Sequence, residues 1–194
     1  MRIGVDIDNV ISAFDEAIYK NAMIYDQSLR NTGIVNPHAK YITKGMLDWS
    51  DEETKAFYAN NMERISKELR TRPGCRKFMK KLIDDGHQLI LITNRCAPDY
   101  KFPEETTLEW LEKRKIPYTK LVLSKTPDKT EEYYANKIDV MVDDRSSQCF
   151  LMKSKGVNCI WMQTKYNKKE ADSLISAKNW AHLYEVICNW KKQN

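Results

Sequence analysis

Four apolar runs in the chain each stop on side chains that can handle metal or phosphate. Ile3-Gly4-Val5 ends on Asp6-Ile7-Asp8, and Leu89-Ile90-Leu91-Ile92 ends on Thr93-Asn94. Leu121-Val122-Leu123 leads into Ser124-Lys125 and on to Lys129, and Val140-Met141-Val142 ends on Asp143-Asp144. Asp6 and Asp8 are two apart in a segment that reads as extended, so their side chains leave on the same side. Carboxylates held that close repel, and a site tolerates them only with a cation or a shared proton between them. A hard divalent ion such as Mg²⁺ suits the set, because it takes oxygen ligands and keeps positions for water and phosphate. Asp143 and Asp144 add oxygens from another run. Thr93 can offer its hydroxyl, and Asn94 its backbone N–H, to a phosphate oxygen. Each ending alone is also an ordinary strand-to-loop turn. Two acidic pairs, a threonine and lysines recurring at successive endings point instead to phosphate chemistry.

Lys129 adds an electrostatic argument. If Thr126 caps a helix whose first residue is Pro127, Lys129 sits in the first turn, where a cation opposes the helix dipole by about 0.3–1 kcal/mol. An anion held between helix start and ammonium removes the conflict. The alternative is a solvated Lys129 offset by Asp128, Glu131 and Glu132, and Lys125 competes for the same role. Arg95 and Arg145 each follow a motif and read either as substrate contacts or as plain surface charge. Phe14, Tyr19, Tyr25, Tyr41, Trp49, Phe57 and Tyr58 read first as the core of a small helical subdomain, and second as a stacking surface for a ring.

These endings need strands to carry them. Short Val/Ile/Leu runs separated by helical patterns read as buried parallel strands. Strands are expected at about 2–6, 88–93, 119–123, 138–142 and 157–161. Helices are expected at about 74–85, from Pro103 to Lys115, from Pro127 to Asn136, at 145–155, and from an Asn179 cap onward. Repeated β-α units predict an α/β fold, a doubly wound parallel sheet covered on both faces. Ligands of such sheets gather beyond the carboxyl ends of the strands, so all four endings fall on one rim. Residues 11–70 break the alternation, with helices at 11–30 and 50–69, Ser50 as an N-cap and a loop between. They are expected to form a helical cap inserted after the first strand, leaving 1–10 and 71–194 as the core domain.

Composition excludes several other classes. A chain of 194 residues with 42% hydrophobic residues can bury a proper core. It contains no apolar stretch approaching the ~18 residues needed to cross a bilayer. The net charge of +5 is spread along the chain, which suits an anionic small molecule better than nucleic acid. The five cysteines form no C-x-x-C pair, so neither zinc nor a disulfide framework is indicated. The expected location is cytoplasmic, with the cysteines as small buried groups in a reducing compartment. Cys96 lies close past a strand end, but no histidine is placed by sequence to make it a nucleophile.

The set Asp6-Ile7-Asp8-Asn9-Val10, Thr93, Lys129 and Asp143-Asp144 resembles the four motifs of the haloacid dehalogenase superfamily of phosphotransferases. More narrowly, Arg72-Pro73-Gly74, Ile92-Thr93-Asn94-Arg95, Asp128-Lys129-Thr130 and Ile138 to Asp144 resemble the cytosolic 5′(3′)-deoxyribonucleotidase family and its bacterial and phage relatives. Asn9 stands where that family often has glycine. The resemblance implies a HAD-like fold and a Mg²⁺-dependent phosphomonoester hydrolase, a 5′-nucleotidase acting on (deoxy)nucleoside monophosphates. Asp6 would be the nucleophile, forming an aspartyl-phosphate, and Asp8 the general acid and base. Mg²⁺ would be held by the Asp6 carboxylate, the Asp8 backbone carbonyl and Asp143, with Asp144 ligating it or orienting its waters. Thr93, the Asn94 amide and Lys129 would hold the phosphoryl oxygens. The expected partner is a small phosphomonoester, with neither membrane nor nucleic acid as partner. A sugar phosphate or a nucleic-acid 3′-phosphate end is the alternative substrate. A receiver-like phospho-acceptor, or a nucleotide-binding protein without turnover, is the alternative class. Against a receiver stand the roughly 60 residues that follow the first strand, far beyond a usual βα connection.

Overall fold

The computed structural model of the chain describes residues 1–39, 41–165 and 173–193, the last three without their side chains. Two compact units emerge. The first comprises Met1–Ser12, Thr71–Asn94 and Arg114–Asn194, and the second Ala13–Arg70 and Arg95–Lys113.

The first unit is built on six parallel strands: β1 (Arg2–Val5), β2 (Gln88–Thr93), β3 (Lys120–Leu123), β4 (Val140–Asp143), β5 (Cys159–Met162) and β6 (Ser176–Ala177). Their order across the sheet is β3-β2-β1-β4-β5-β6. The expected α/β parallel sheet is therefore present, with β6 as an addition. Two residues following a loop are too short to show a strand period.

Alternation along the strands sends side chains to opposite faces. Ile90, Ile92, Met141, Cys159 and Trp161 form one core with Tyr133, Ile138, Cys149 and Met152. These last four come from, or lie beside, α5 (Thr130–Ala135) and α6 (Ser146–Ser154). Gly4 faces this side because a Cβ there would lie 2.6 Å from the Met141 sulfur and 2.9 Å from Ile138 Cδ1. Helix α3 (Cys75–Asp84) packs on β2 and on α7 (Trp180–Gln193), which also meets β6. The Asn179 cap is found: its Oδ1 accepts from His182 N at 2.9 Å.

The second unit holds α1 (Phe14–Leu29), α2 (Asp51–Glu68) and α4 (Pro103–Lys113). It joins Ala13–Arg70 with Arg95–Lys113, a stretch that the sequence reading placed with the sheet. Packing explains the extra helix. Trp110 is fully buried and donates its indole N–H to Leu69 O at 2.8 Å, while Lys67 pairs with Glu109 at 2.7 Å. Ser50 caps α2 in a full capping box with Glu53. Tyr25, Trp49, Phe57 and Tyr58 pack on one another with ring centroids 5.3–5.5 Å apart, which is the core role expected for them. Buried Asp26 ties the connecting loop to α1, accepting from Trp49 Nε1 and Gly33 N at 2.8 Å each. Among the described residues no helix is long and apolar enough to cross a membrane.

Candidate active site

Strand order decides what can meet at the rim. β1 lies between β2 and β4, the place where the sheet's winding reverses and where such folds bind ligands. Val5 pairs with Val142, and Asp6 N donates to Val142 O at 2.9 Å, so Asp6 and Asp143 leave adjacent strand ends side by side.

Lys129 stands between them. Its Nζ lies 2.6 Å from Asp6 Oδ1 and 2.8 Å from Asp143 Oδ2, and all three side chains are at least nine-tenths buried. Oxygens of Asp6, Asp143 and Asp144 approach within 4.8 Å of one another. Burial pushes the Asp6 carboxyl up to about 6. The ammonium opposes that rise, and the charges of Asp143 and Asp8 reinforce it. Burial alone would lower the Lys129 ammonium, but the two carboxylates outweigh it and hold the group above its ordinary value. Three crowded carboxylates relieved in part by one buried ammonium form a group that could hold a metal ion.

The route that brings Lys129 here differs from the expected one. Helix α5 begins at Thr130, not Pro127, with Lys129 at its N-cap position. Asp128 Oδ1 accepts from Thr130 N at 3.1 Å, so the aspartate turn sets the start and Pro127 precedes it. The helix-dipole argument therefore does not account for Lys129; direct pairing with Asp6 and Asp143 does. Lys125 is exposed.

Asp8 is not on an extended segment as expected. β1 ends at Val5, and the chain turns at once, with Ile11 N and Ser12 N both donating to Ile7 O at 2.9 Å. Asn9 occupies the left-handed region at φ 61°, where asparagine and glycine are the usual residues. Within this turn Asp8 Oδ1 accepts from Ser12 Oγ at 3.1 Å. Its side chain stands outside the acidic trio, although its charge is felt at Asp6. Thr93 closes β2 on the same rim and is buried. The Asn94 side-chain amide donates to Ser124 O at 3.0 Å, tying the ends of β2 and β3 together. Arg95 is buried in the second unit, 5.5 Å from the Trp110 ring and 3.5 Å from Thr107 Oγ1, and is not a surface charge. Arg145 N donates to Asp143 Oδ1 at 2.9 Å, a backbone contribution, while the residue itself is exposed.

Three supports escaped the sequence reading. Trp161 Nε1 donates to Asp144 O at 2.9 Å, and Trp180 Nε1 donates to Val10 O at 2.8 Å. Arg72 donates to Asn9 O at 2.6 Å and to Gln163 O at 3.0 Å. A buried indole needs an acceptor for its N–H, so two tryptophans in buried segments were the available signal.

Known proteins resemble the chain over nearly its whole length. The model of the 5′ nucleotidase, deoxy (pyrimidine), cytosolic type C family matches residues 1–193. A protein of Chlorobaculum tepidum described as a candidate 5′(3′)-deoxyribonucleotidase is 22% identical over 192 residues, covering 95% of this chain and 89% of its own. A nucleotidase of Clostridium acetobutylicum is 23% identical over 189 residues, covering 96% and 93%. Among solved structures, a haloacid dehalogenase-like family hydrolase of Streptococcus pneumoniae superposes with a TM-score of 0.66 at 13% identity, covering 97% of each chain. With the acids and the lysine of its rim arranged as described, the chain belongs to the cytosolic type C 5′-nucleotidase family and is a phosphomonoester hydrolase of HAD-like fold.

Proposed function

We propose that the chain is a Mg²⁺-dependent 5′-nucleotidase that dephosphorylates (deoxy)nucleoside monophosphates through Asp6. The observation that carries the reading is the buried Asp6 carboxylate, paired with Lys129 and grouped with Asp143 and Asp144. Asp6 attacks phosphorus, forming an aspartyl-phosphate as the ester P–O bond breaks. Asp8 gives its proton to the departing alkoxide and then takes one from the water that releases phosphate. Its bond to Ser12 Oγ holds the carboxyl toward the turn from which it would act. Lys129, the Thr93 hydroxyl and the Asn94 backbone N–H would hold phosphoryl oxygens, where charge develops.

A hard, all-oxygen donor set of three carboxylates fits Mg²⁺ rather than a softer metal. Asp6, Asp143, Asp144 and the Asp8 carbonyl would hold it. When bound, it would offset the negative charge shared by carboxylates and phosphate. The substrate class rests on the family description and on the deoxyribonucleotidase named for the Chlorobaculum relative. The helical unit, whose larger part is inserted between β1 and β2, would serve as the cap that selects the leaving group. A cytoplasmic location is part of the same reading, and the five cysteines are all free thiols.

The test is hydrolysis of a panel of deoxy- and ribonucleoside monophosphates and sugar phosphates, with and without Mg²⁺, by the wild type and Asp6→Asn. Mg²⁺-stimulated release from nucleotides that vanishes in the folded variant is expected. An active Asp6→Asn protein would remove the nucleophile. Flat, low rates on every nucleotide would remove the substrate class.

A further inference from the structure

We propose that Asp128 is a positioning residue that aims the Lys129 ammonium at the rim by holding back the start of α5. The role rests on the reading of Lys129 as a holder of phosphoryl oxygens. Lys129 Nζ meets Asp6 Oδ1 at 2.6 Å and Asp143 Oδ2 at 2.8 Å. An ammonium has three donors, and the third reaches a phosphate beside Asp6 only from the place those two contacts fix.

The segment from β3 to α5, Ser124-Lys125-Thr126-Pro127-Asp128-Lys129-Thr130, carries the signal for an earlier helix. Thr126 can cap, and Pro127 suits a first helical position. The hydrogen bond closing the first turn of that helix would run from Thr130 N to Thr126 O. Side chains take both of its ends. Asp128 Oδ1 accepts from Thr130 N at 3.1 Å and also from Thr130 Oγ1. Ser124 Oγ donates to Thr126 O at 2.7 Å, and Thr126 Oγ1 donates to Asp128 O at 2.8 Å. Helix bonding then begins from Tyr133 N to Lys129 O, at 3.0 Å.

Backbone angles carry the effect to the lysine. Lys129 sits at φ −96° and ψ 18°, off the helical pair. Drawing it into a helix begun at Pro127 would turn ψ by about 60°, since helical residues sit at about −42°. The side chain would then leave its Cα in another direction, and the ammonium would leave the point between the two carboxylates. Asp128 also pairs with Lys155, but those side chains are 29% and 45% exposed. A pair so open to solvent contributes little, so the turn through Oδ1 is the part that acts on Lys129.

The experiment is a calorimetric titration of the full chain with inorganic phosphate, Mg²⁺ present, as wild type, Asp128→Ala, Asp128→Asn and Lys155→Met, with the melting temperature of each. Asp128→Ala releases Thr130 N and should weaken phosphate binding about tenfold or more, the loss of a hydrogen bond between charged groups. Its melting temperature should fall by about 2–4 °C, as for the loss of a helix cap. Asp128→Asn keeps an oxygen for Thr130 N and should bind phosphate close to wild type, because asparagine and aspartate serve alike in such turns. Lys155→Met removes the exposed pair and should leave phosphate affinity unchanged. Unchanged affinity in Asp128→Ala would overturn the proposal and leave the nucleotidase reading standing. So would an equal loss in Asp128→Asn or Lys155→Met, because charge rather than the turn would then set the lysine. A wild type that hydrolyses nucleotides normally, with a phosphate affinity that Lys129→Met does not alter, would remove the phosphate role of Lys129 and this inference with it.

Discussion

Replacing Lys129 by methionine tests the electrostatics of the rim most directly, because it removes the ammonium and keeps most of the side-chain volume. The two contacts, 2.6 and 2.8 Å, involve groups that are 9% exposed or less. At an effective dielectric near 20, one such pair is worth about 6 kcal/mol by Coulomb's law, before the cost of burying the ammonium. Removing one partner of a buried pair typically costs about 3–5 kcal/mol, and that is the loss expected for the metal-free protein at pH 8. The pH dependence has a defined sign. Asp6 in the folded wild type titrates at about 6, above its ordinary 3.8, so the folded state favours the protonated carboxyl. Keeping Asp6 ionised therefore costs about 3 kcal/mol at neutral pH, a penalty absent below the unfolded value and fully present above the folded one. Without Lys129, which pulls that value down, Asp6 should titrate higher still. The variant's extra instability should therefore shrink as pH falls from 8 to 5, when Asp6 takes up a proton. Added Mg²⁺ should restore part of the loss at pH 8, since a divalent cation can take over from the ammonium. Urea unfolding in chelator at pH 8 and pH 5, and again with Mg²⁺ at pH 8, gives all these differences. Equal urea midpoints for Lys129→Met and wild type at pH 8 without metal would refute the reasoning.

Two further outcomes follow from the same geometry. In low Mg²⁺, kcat/KM should fall on the acid side with a midpoint near pH 6 as Asp6 protonates, and saturating Mg²⁺ should move that midpoint lower because cation and proton compete for the carboxylates; a midpoint blind to Mg²⁺ would contradict it. Trp161→Phe removes the indole donor to Asp144 O while keeping most of the ring, so it should lower stability by about 1–3 kcal/mol and raise the Mg²⁺ needed for half-maximal rate, both measurable by denaturation and by initial rates.

The rim was legible in the sequence because each strand is a short apolar run stopped by polar side chains, a contrast of burial that needs no long-range information. What sequence could not supply was neighbourhood. That β1 lies between β2 and β4 follows from the packing of the whole sheet, and this adjacency turns two separate acidic pairs into a trio. Local competition hid the start of α5. Pro127 is a strong helix-start signal, yet the Asp128 carboxylate accepts from the Thr130 amide and delays the helix. Asp8 misled in a related way, since a D-x-D pattern looks extended until the left-handed Asn9 shows that the strand has already stopped. Sequence leaves Arg95 open between a substrate contact and a surface charge, and only the neighbouring Trp110 and Thr107 on α4 show why it is interior. The α4 packing that moves Arg95–Lys113 into the helical unit is likewise a tertiary effect, carried by Trp110 and Glu109 reaching α2 and its end.

The strand order has a consequence for biosynthesis. Asp6 is synthesised well before its partners, for Lys129 follows only after β2 and β3, and Asp143 and Asp144 come with the end of β4. Until then a nascent chain carries Asp6 as a hydrated carboxylate without its ion-pair partner. The acidic group is completed when β4 docks beside β1, so truncated translation products ending before that strand lack two of its three carboxylates.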